Sequence, residues 1–456
     1  METYFIGIDI GTSKICGIIY NTGTKRRESV VKENSSGIKS IIAGQDIQDP
    51  QKIVTIVKEI IEELTAQYHP VAGIGITGQM HGILYVDKKG DAISPLYTWQ
   101  DDSGNRQYKN GCTYAEFLTN ITGYRMATGF GLTTHFYHLK SGLVPAGTNK
   151  LCTIMDYTAM KLSSTNIPVT DSSNAASLGL FDPGKLEFDA IAIKKADIDP
   201  FMLPQVVHAG DIRGKYQDIN ICTPIGDNQA SFLGSVKEIR NTTLINIGTS
   251  SQVSVYSDQY VSLEQVDVRP FPGGGYILVG SALCGGYSMV VLKQFFEKTI
   301  RFFCGEPECQ ADFYYKINMP GKSFPLFDNE PLYVEVFFRG TRSDPKKRGT
   351  IQNISVNNLT PENLIMGIIN GISNESLSSY NQFPEQIKSR MKHLVGSGNA
   401  IRRNPILTRA IERAYNGKIE IPDNSEEAAF GACIAAMVGC RYLQSFFSDE
   451  NIIQYK

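Results

Sequence analysis

Two six-residue segments carry the clearest chemical signal in the chain. Ile8-Asp9-Ile10-Gly11-Thr12-Ser13 returns as Ile245-Asn246-Ile247-Gly248-Thr249-Ser250, and only Asp9 and Asn246 differ. Each copy lies in an apolar, β-branched run, Phe5 to Tyr20 and Leu244 to Tyr256. Such runs predict β-hairpins with Gly-Thr-Ser at the turn. A turn of this kind suits phosphate, because glycine lets the backbone come close and successive N–H groups and hydroxyls donate to anionic oxygens. Asp9, beside the first turn, can hold the water shell of a Mg²⁺ ion bridging phosphates, whereas the neutral Asn246 cannot. One Asp-x-Gly-Thr alone is ordinarily a plain hairpin turn. A matched pair about half a chain apart is not accounted for that way.

Moving a phosphoryl group onto a hydroxyl also needs a carboxylate that takes the proton and orients the oxygen. Ile225-Gly226-Asp227-Asn228-Gln229-Ala230 offers Asp227, followed by a small-residue helical start at Gln229-Ala230-Ser231. A helix N-terminus there would keep the carboxylate ionised and aimed, although a simple N-cap aspartate explains the same residues. A second polar cluster comes from Gly78-Gln79-Met80-His81-Gly82 and Thr98-Trp99-Gln100-Asp101-Asp102, which contains the one tryptophan of the chain. An aromatic face beside amide, carboxylate and imidazole groups suits a sugar, with its C–H patches and many hydroxyls. A core tryptophan with polar surface neighbours is the plainer alternative.

These residues need elements to hold them. Pro50 to Tyr68 has a helical apolar face at Ile53, Ile56, Val57, Ile60, Ile61 and Leu64, and Val71 to Ile76 reads as a strand. In the second half Leu359 to Leu377 is helical, with Thr360 placed to cap and Pro361 in the first turn; His393 to Val395 is a short strand. Strand–helix alternation in both halves predicts two α/β lobes, 1–223 and 224–456, meeting near Thr223-Pro224. A length of 456 residues with 42% hydrophobic and 20% charged residues allows two cores. The net charge of −2 provides no field for nucleic acid or an anionic membrane, and Lys346, Lys347 and Arg348 form only a short basic run. No apolar run spans a bilayer and the N-terminus lacks a secretory pattern, so a cytoplasmic protein is expected. The nine cysteines include no C-x-x-C pair, and Cys304 and Cys309 are poorly spaced for zinc; buried reduced thiols are expected.

The turn I-D-I-G-T-S, then G-Q-M-H-G, T-W-Q-D, G-D-N-Q-A, I-N-I-G-T-S, G-S-G-N-A and the tail Glu426-Glu427-Ala428-Ala429-Phe430-Gly431-Ala432 together resemble the FGGY family of carbohydrate kinases. The resemblance runs in the family's order over residues 5–432. It implies two ribonuclease-H-like lobes of the actin/hexokinase kind flanking a central cleft, with ATP and Mg²⁺ as cofactors and a small-molecule sugar as partner. By the same resemblance Asp227 is the catalytic base and Asp9 faces Mg²⁺. Gly11, Thr12, Ser13 and Lys14 hold the transferring phosphate, Gly248 and Thr249 the rest of the triphosphate, and Gly398 and Asn404 lie beside adenosine. Gln79, Met80, His81, Trp99 and Asp101, with Asp227, line the sugar pocket. Lys14 departs from the small hydroxyl residue common at its position. Asp102-Ser103-Gly104 departs from an Asp-x-Arg continuation, which leaves Arg106 as the arginine to reach the sugar, and Cys284 stands where relatives often carry Asn. The acceptor implied is a ketose, sedoheptulose first, with xylulose or another pentulose or hexulose as the alternative; assembly into a homodimer stays open. The rival class is an ATP-driven conformational switch, which needs the phosphate turns but not the Gln79–His81 and Trp99–Asp101 cluster.

Overall fold

Isoleucine at every second position makes Tyr4–Ile10 a strand, and it pairs antiparallel with Lys14–Asn21 from Tyr4↔Asn21 to Ile10↔Ile15. The computed structural model containing this hairpin describes residues 2–305, 313–317, 330–341, 344, 346–448 and 452–456. Cys309 lies outside the described residues. The chain divides into two units, the first made of Met1–Gly234, Arg269–Tyr276 and Glu426–Ile452, the second of Ser235–Val268, Ile277–Ser425 and Ile453–Lys456. The break falls at Gly234 rather than at 223/224. The helix that begins at Asp227 and the helix near the C-terminus both pack with the first unit.

In the first unit a sheet runs Ile212–Tyr216, Ile219–Cys222, Val71–Gly78, Tyr4–Ile10, Lys14–Asn21, Arg27–Glu33. Tyr4–Ile10 is parallel to Val71–Gly78, and Lys14–Asn21 is antiparallel to Arg27–Glu33. The second unit repeats the plan with Tyr276–Ala282, Ser251–Ser257, Thr242–Ile247, His393–Ser397 and Ile419–Glu420 as neighbours. Its hairpin pairs Ile247 with Ser251, and Thr242–Ile247 is parallel to His393–Ser397. In both sheets the hairpin's first strand sits at the centre, where its turn is held from both sides.

The helix Pro50–Thr65 starts where Asp49 accepts the N–H groups of Gln51 and Lys52, with Pro50 in the first turn. Its predicted apolar face is buried against Ile6, Ile8 and Ile10 of the central strand. Each such side chain taken from water contributes roughly 1.5–3 kcal/mol. The helix Pro361–Tyr380 is capped by Thr360 as expected and packs Ile365, Ile368, Ile369 and Ile372 with Ile245 and Ile247. The helix Glu427–Gly439 is built of small residues and is buried along most of its length. It lies so close to the first sheet that a Cβ on Gly75 would stand 1.8 Å from the Ala432 carbonyl oxygen, so only glycine fits there. This close seat fixes Glu426, the residue just before the helix.

Among the described residues eight cysteines are free thiols, of which Cys16, Cys152, Cys222, Cys284 and Cys433 are buried while Cys304 is exposed. No described helix is long and apolar enough to cross a membrane.

Candidate active site

The first turn is oriented by its neighbours. The Gly11 carbonyl accepts Asn34 Nδ2 at 2.8 Å, the Thr12 carbonyl accepts Gln48 Nε2 at 2.9 Å, and the Ser13 carbonyl accepts the Asn34 N–H at 3.0 Å. Three successive carbonyls face the 34–48 segment, so the following peptide N–H groups point the opposite way, since each peptide unit is planar and trans. That edge is what an anionic oxygen requires. Ser13 and Lys14 are exposed on it, and Gly11 and Thr12 partly so.

Asp9 lies on the central strand opposite Cys16 on one side and Thr77 on the other. Asp227 arrives beside it by a backbone route. The Ile225 N–H donates to the Ile76 carbonyl at 3.1 Å, and Thr77 Oγ1 donates to the Ile225 carbonyl at 2.8 Å. The Gly226 N–H donates at 2.8 Å to Ser173 Oγ, whose hydroxyl is held by Asp171 at 2.7 Å. The helix then begins at Asp227 itself, with Gly226 at the cap position, so Asp227 is not an N-cap. Burial first, then the neighbouring Asp227 charge, push the Asp9 carboxyl up to about 7, and Lys14 opposes them. Burial also raises Asp227, while Asn228, which donates to its Oδ1 at 2.8 Å, and the Arg269 charge pull it back.

Two neighbouring carboxylates, opposed by Lys14 and Arg269, are a donor set that fits a divalent cation. Among the described residues no group of three or more His, Cys, Asp or Glu side chains forms a metal cage. A Mg²⁺ ion on Asp9 would therefore draw its remaining ligands from water and phosphate, as Mg²⁺ commonly does.

The sugar-type cluster joins the same turn. Trp99 Nε1 donates to Thr12 Oγ1 at 3.0 Å, and Thr12 Oγ1 donates to Gln79 Oε1 at 3.3 Å. Gln79 Nε2 donates to Gln48 Oε1 at 2.8 Å, so Gln48 is clamped between Gln79 and the turn. Trp99 is 47% exposed, which excludes the reading of a core tryptophan. His81 takes a left-handed backbone, φ 74°. Its Nδ1 lies 2.6 Å from the Ser177 carbonyl oxygen and its ring stacks on Phe130 at 4.8 Å. A carbonyl only accepts, so Nδ1 carries a proton. Met80 is buried, within 2.8 Å of where a Cβ on Gly226 would stand.

Asp101 is fully buried, its Oδ1 accepting the Ser103 N–H at 3.0 Å. It shapes its own loop. Arg106 donates through Nη2 to the Ala43 carbonyl at 2.8 Å and lies over the Tyr137 ring. It braces the segment before Gln48. Asn34, Gln48, Ser173 and Ser177 position the site, yet sequence reasoning gave them no role. Asn34 and Gln48 sit in an aperiodic stretch; Ser173 and Ser177 fall within Ser173-Asn174-Ala175-Ala176-Ser177, where the small hydroxyl pattern was the available signal.

The second unit holds the other turn. Gly248 and Thr249 are exposed; the Gly248 N–H donates to the Ser250 carbonyl at 3.0 Å, and the Gly248 and Thr249 carbonyls accept from Gly286 and Tyr287. Gly398 has φ 86°, and a Cβ on it would lie 2.4 Å from the Ile247 carbonyl oxygen, so this close turn requires glycine. Asn404 is buried and caps the helix Pro405–Tyr415 by accepting the Leu407 N–H at 3.0 Å.

Each of the two sheets presents a Gly-Thr-Ser turn, and the first unit adds the carboxylates of Asp9 and Asp227. Residues 4–229 match the N-terminal domain model of the FGGY family of carbohydrate kinases. The chain is 25% identical to a sedoheptulokinase of Mus musculus, over 95% of this chain and 97% of that protein. It is 24% identical to a xylulose kinase of Lactococcus lactis, over 100% of this chain and 91% of that protein. Its fold superposes on the gluconate kinase of Lactobacillus acidophilus with a TM-score of 0.81 at 18% identity, covering 100% of this chain and 93% of that one. The N-terminal half of the chain carries the FGGY carbohydrate-kinase domain, and the chain is an ATP-dependent sugar kinase.

Proposed function

We propose that the protein transfers the γ-phosphoryl group of ATP to the primary hydroxyl of a ketose, with sedoheptulose as the preferred acceptor and sedoheptulose 7-phosphate as the product. The observation that carries the chemistry is the pairing of Asp227 with Asp9 beside the N–H edge of the Gly11–Lys14 turn. Asp227 accepts the proton as the sugar oxygen bonds to phosphorus and the bond from phosphorus to the leaving ADP oxygen breaks. Burial makes Asp227 a stronger base than an ordinary surface carboxylate, which favours that role. The turn N–H groups, Thr12, Ser13 and Lys14 hold the transferring group. Gly248, Thr249 and Gly398 serve the rest of the nucleotide, and Asn404 shapes the adenosine side through its helix cap. When bound near Asp9, Mg²⁺ neutralises phosphate charge.

Gln79, Met80, His81 and Trp99 receive the sugar. His81 meets a sugar hydroxyl at its ring edge while its Nδ1 proton stays on the Ser177 carbonyl. Trp99 offers its ring face while its N–H stays on Thr12, so sugar and phosphate sites share one hydrogen-bonded network. A conformational switch without an acceptor has no use for this cluster.

A seven-carbon ketose brings two more hydroxyls than a pentulose. A pocket built to bond them loses about 1–3 kcal/mol for each polar group left unpaired by a shorter sugar. Coupled ADP-release assays over sedoheptulose, xylulose, gluconate and glycerol test the assignment. Sedoheptulose should give the highest kcat/KM, by roughly ten-fold or more. A higher value for xylulose, the substrate named for the Lactococcus lactis relative, would overturn the heptulose preference and leave the kinase standing.

A further inference from the structure

The turn of the first hairpin is one residue longer than that of the second, and it carries Lys14. Ile10 pairs with Ile15 across the first turn, whereas Ile247 pairs with Ser251 across the second. Aligned by their shared motif, Lys14 stands at the position of Ser251, so the first turn alone carries a cation. Its Nζ lies 3.0 Å from Glu426 Oε2 and 3.3 Å from Oε1. The lysine side chain is 54% exposed and the glutamate 19% exposed. The carboxylate is thus the fixed half, seated by the buried helix that follows it, and the ammonium is the half with room to turn.

Three carboxylates surround this ammonium's neighbourhood. Asp9 is disfavoured as an anion by both Asp227 and Glu426 and is favoured by Lys14. A polyphosphate reaching the first turn meets Asp9, Asp227 and Glu426, opposed by Lys14 and Arg269. A half-exposed lysine–carboxylate pair is worth only about 0–1 kcal/mol. A phosphate of charge near −2 on the N–H edge of the same turn is the stronger partner, and a lysine stem is flexible enough to reach it.

We propose that Lys14 exchanges counter-ions: without nucleotide it rests on Glu426, and on nucleotide binding it moves to the terminal phosphate. Glu426 is then a positioning residue that keeps the ammonium within reach of the turn. This rests on the reading of the Gly11–Lys14 turn as the phosphate-holding one.

The test is a double-mutant cycle read by calorimetric binding of a non-hydrolysable ATP analogue with Mg²⁺, without sugar or turnover. The four proteins are wild type, Lys14→Gln, Glu426→Gln and the double variant, each checked for folding by thermal melting. In the wild-type background Lys14→Gln removes a phosphate contact whose gain was partly cancelled by leaving Glu426. In the Glu426→Gln background the same change removes the whole contact. Exchange therefore predicts a loss of a few-fold in the first background and roughly ten-fold or more in the second. Equal losses, or a larger loss in the wild-type background, overturn the proposal, as does a wild type that binds no analogue. Failure of the sugar-kinase reading would appear separately, as analogue binding with no sugar-dependent ADP release.

Discussion

Asp9 and Asn246 occupy matching places in the two hairpins, yet only the first is a carboxylate, and it has Asp227 near it. The asymmetry makes a prediction about charge. Asp9→Asn should reduce turnover steeply, and added Mg²⁺ should recover part of it, because the acid assigned to the metal is gone. Asn246→Asp should be much milder. Steady-state rates across a Mg²⁺ titration check this, and equal losses from the two changes would contradict a one-sided metal site. At this scale the sequence showed Asp9, Thr12, Asp227 and Trp99 because their residue types are unusual in their settings. It could not show that Asp101 turns inward or that Arg106 braces Ala43, because both outcomes depend on loop backbone with no periodicity to read.

The elements set where charges can be tolerated. The helix Pro361–Tyr380 carries Glu375 beside a recess of 790 Å³ that Tyr333, Phe337, Lys347 and Arg413 also line. Burial raises the Glu375 carboxyl to about 7, and Lys347 only partly opposes it. The fold disfavours the ionised form, so wild-type stability should be highest below the ordinary value of 4.5, fall as pH rises from there to about 7, and level off above. Glu375→Gln removes the titrating group. Denaturant melts at pH 5 and pH 8 should show the variant gaining on wild type by on the order of 1–3 kcal/mol at the higher pH relative to the lower. A pH-independent difference would place the ionisation of Glu375 elsewhere. The sequence foretold this helix well, since its cap, proline and apolar spacing are local signals. The start of the helix at Asp227 was misplaced by two residues, because what begins it is the anchoring of Ile225 and Gly226 on Ile76 and Ser173, contacts distant in sequence.

For the molecule as a whole the internal repeat was the decisive signal. Two copies of one hairpin implied two sheets of one design, and both sheets do place that hairpin's first strand at the centre. The boundary was harder to read. The helix Glu427–Gly439 returns to the first unit because Gly7 and Gly75 let it lie directly on that sheet, and no local feature near residue 223 announces this. The chain is an ATP-dependent sugar kinase, for which Asp227 is the proposed base. The most direct test is sugar-dependent ADP release by wild type and Asp227→Asn, with analogue binding measured on both. Release should require the sugar and fall by roughly 10²–10⁴-fold in the variant, while analogue affinity stays within a few-fold. Release that ignores the sugar, or a variant that turns over within a few-fold of wild type, would contradict it.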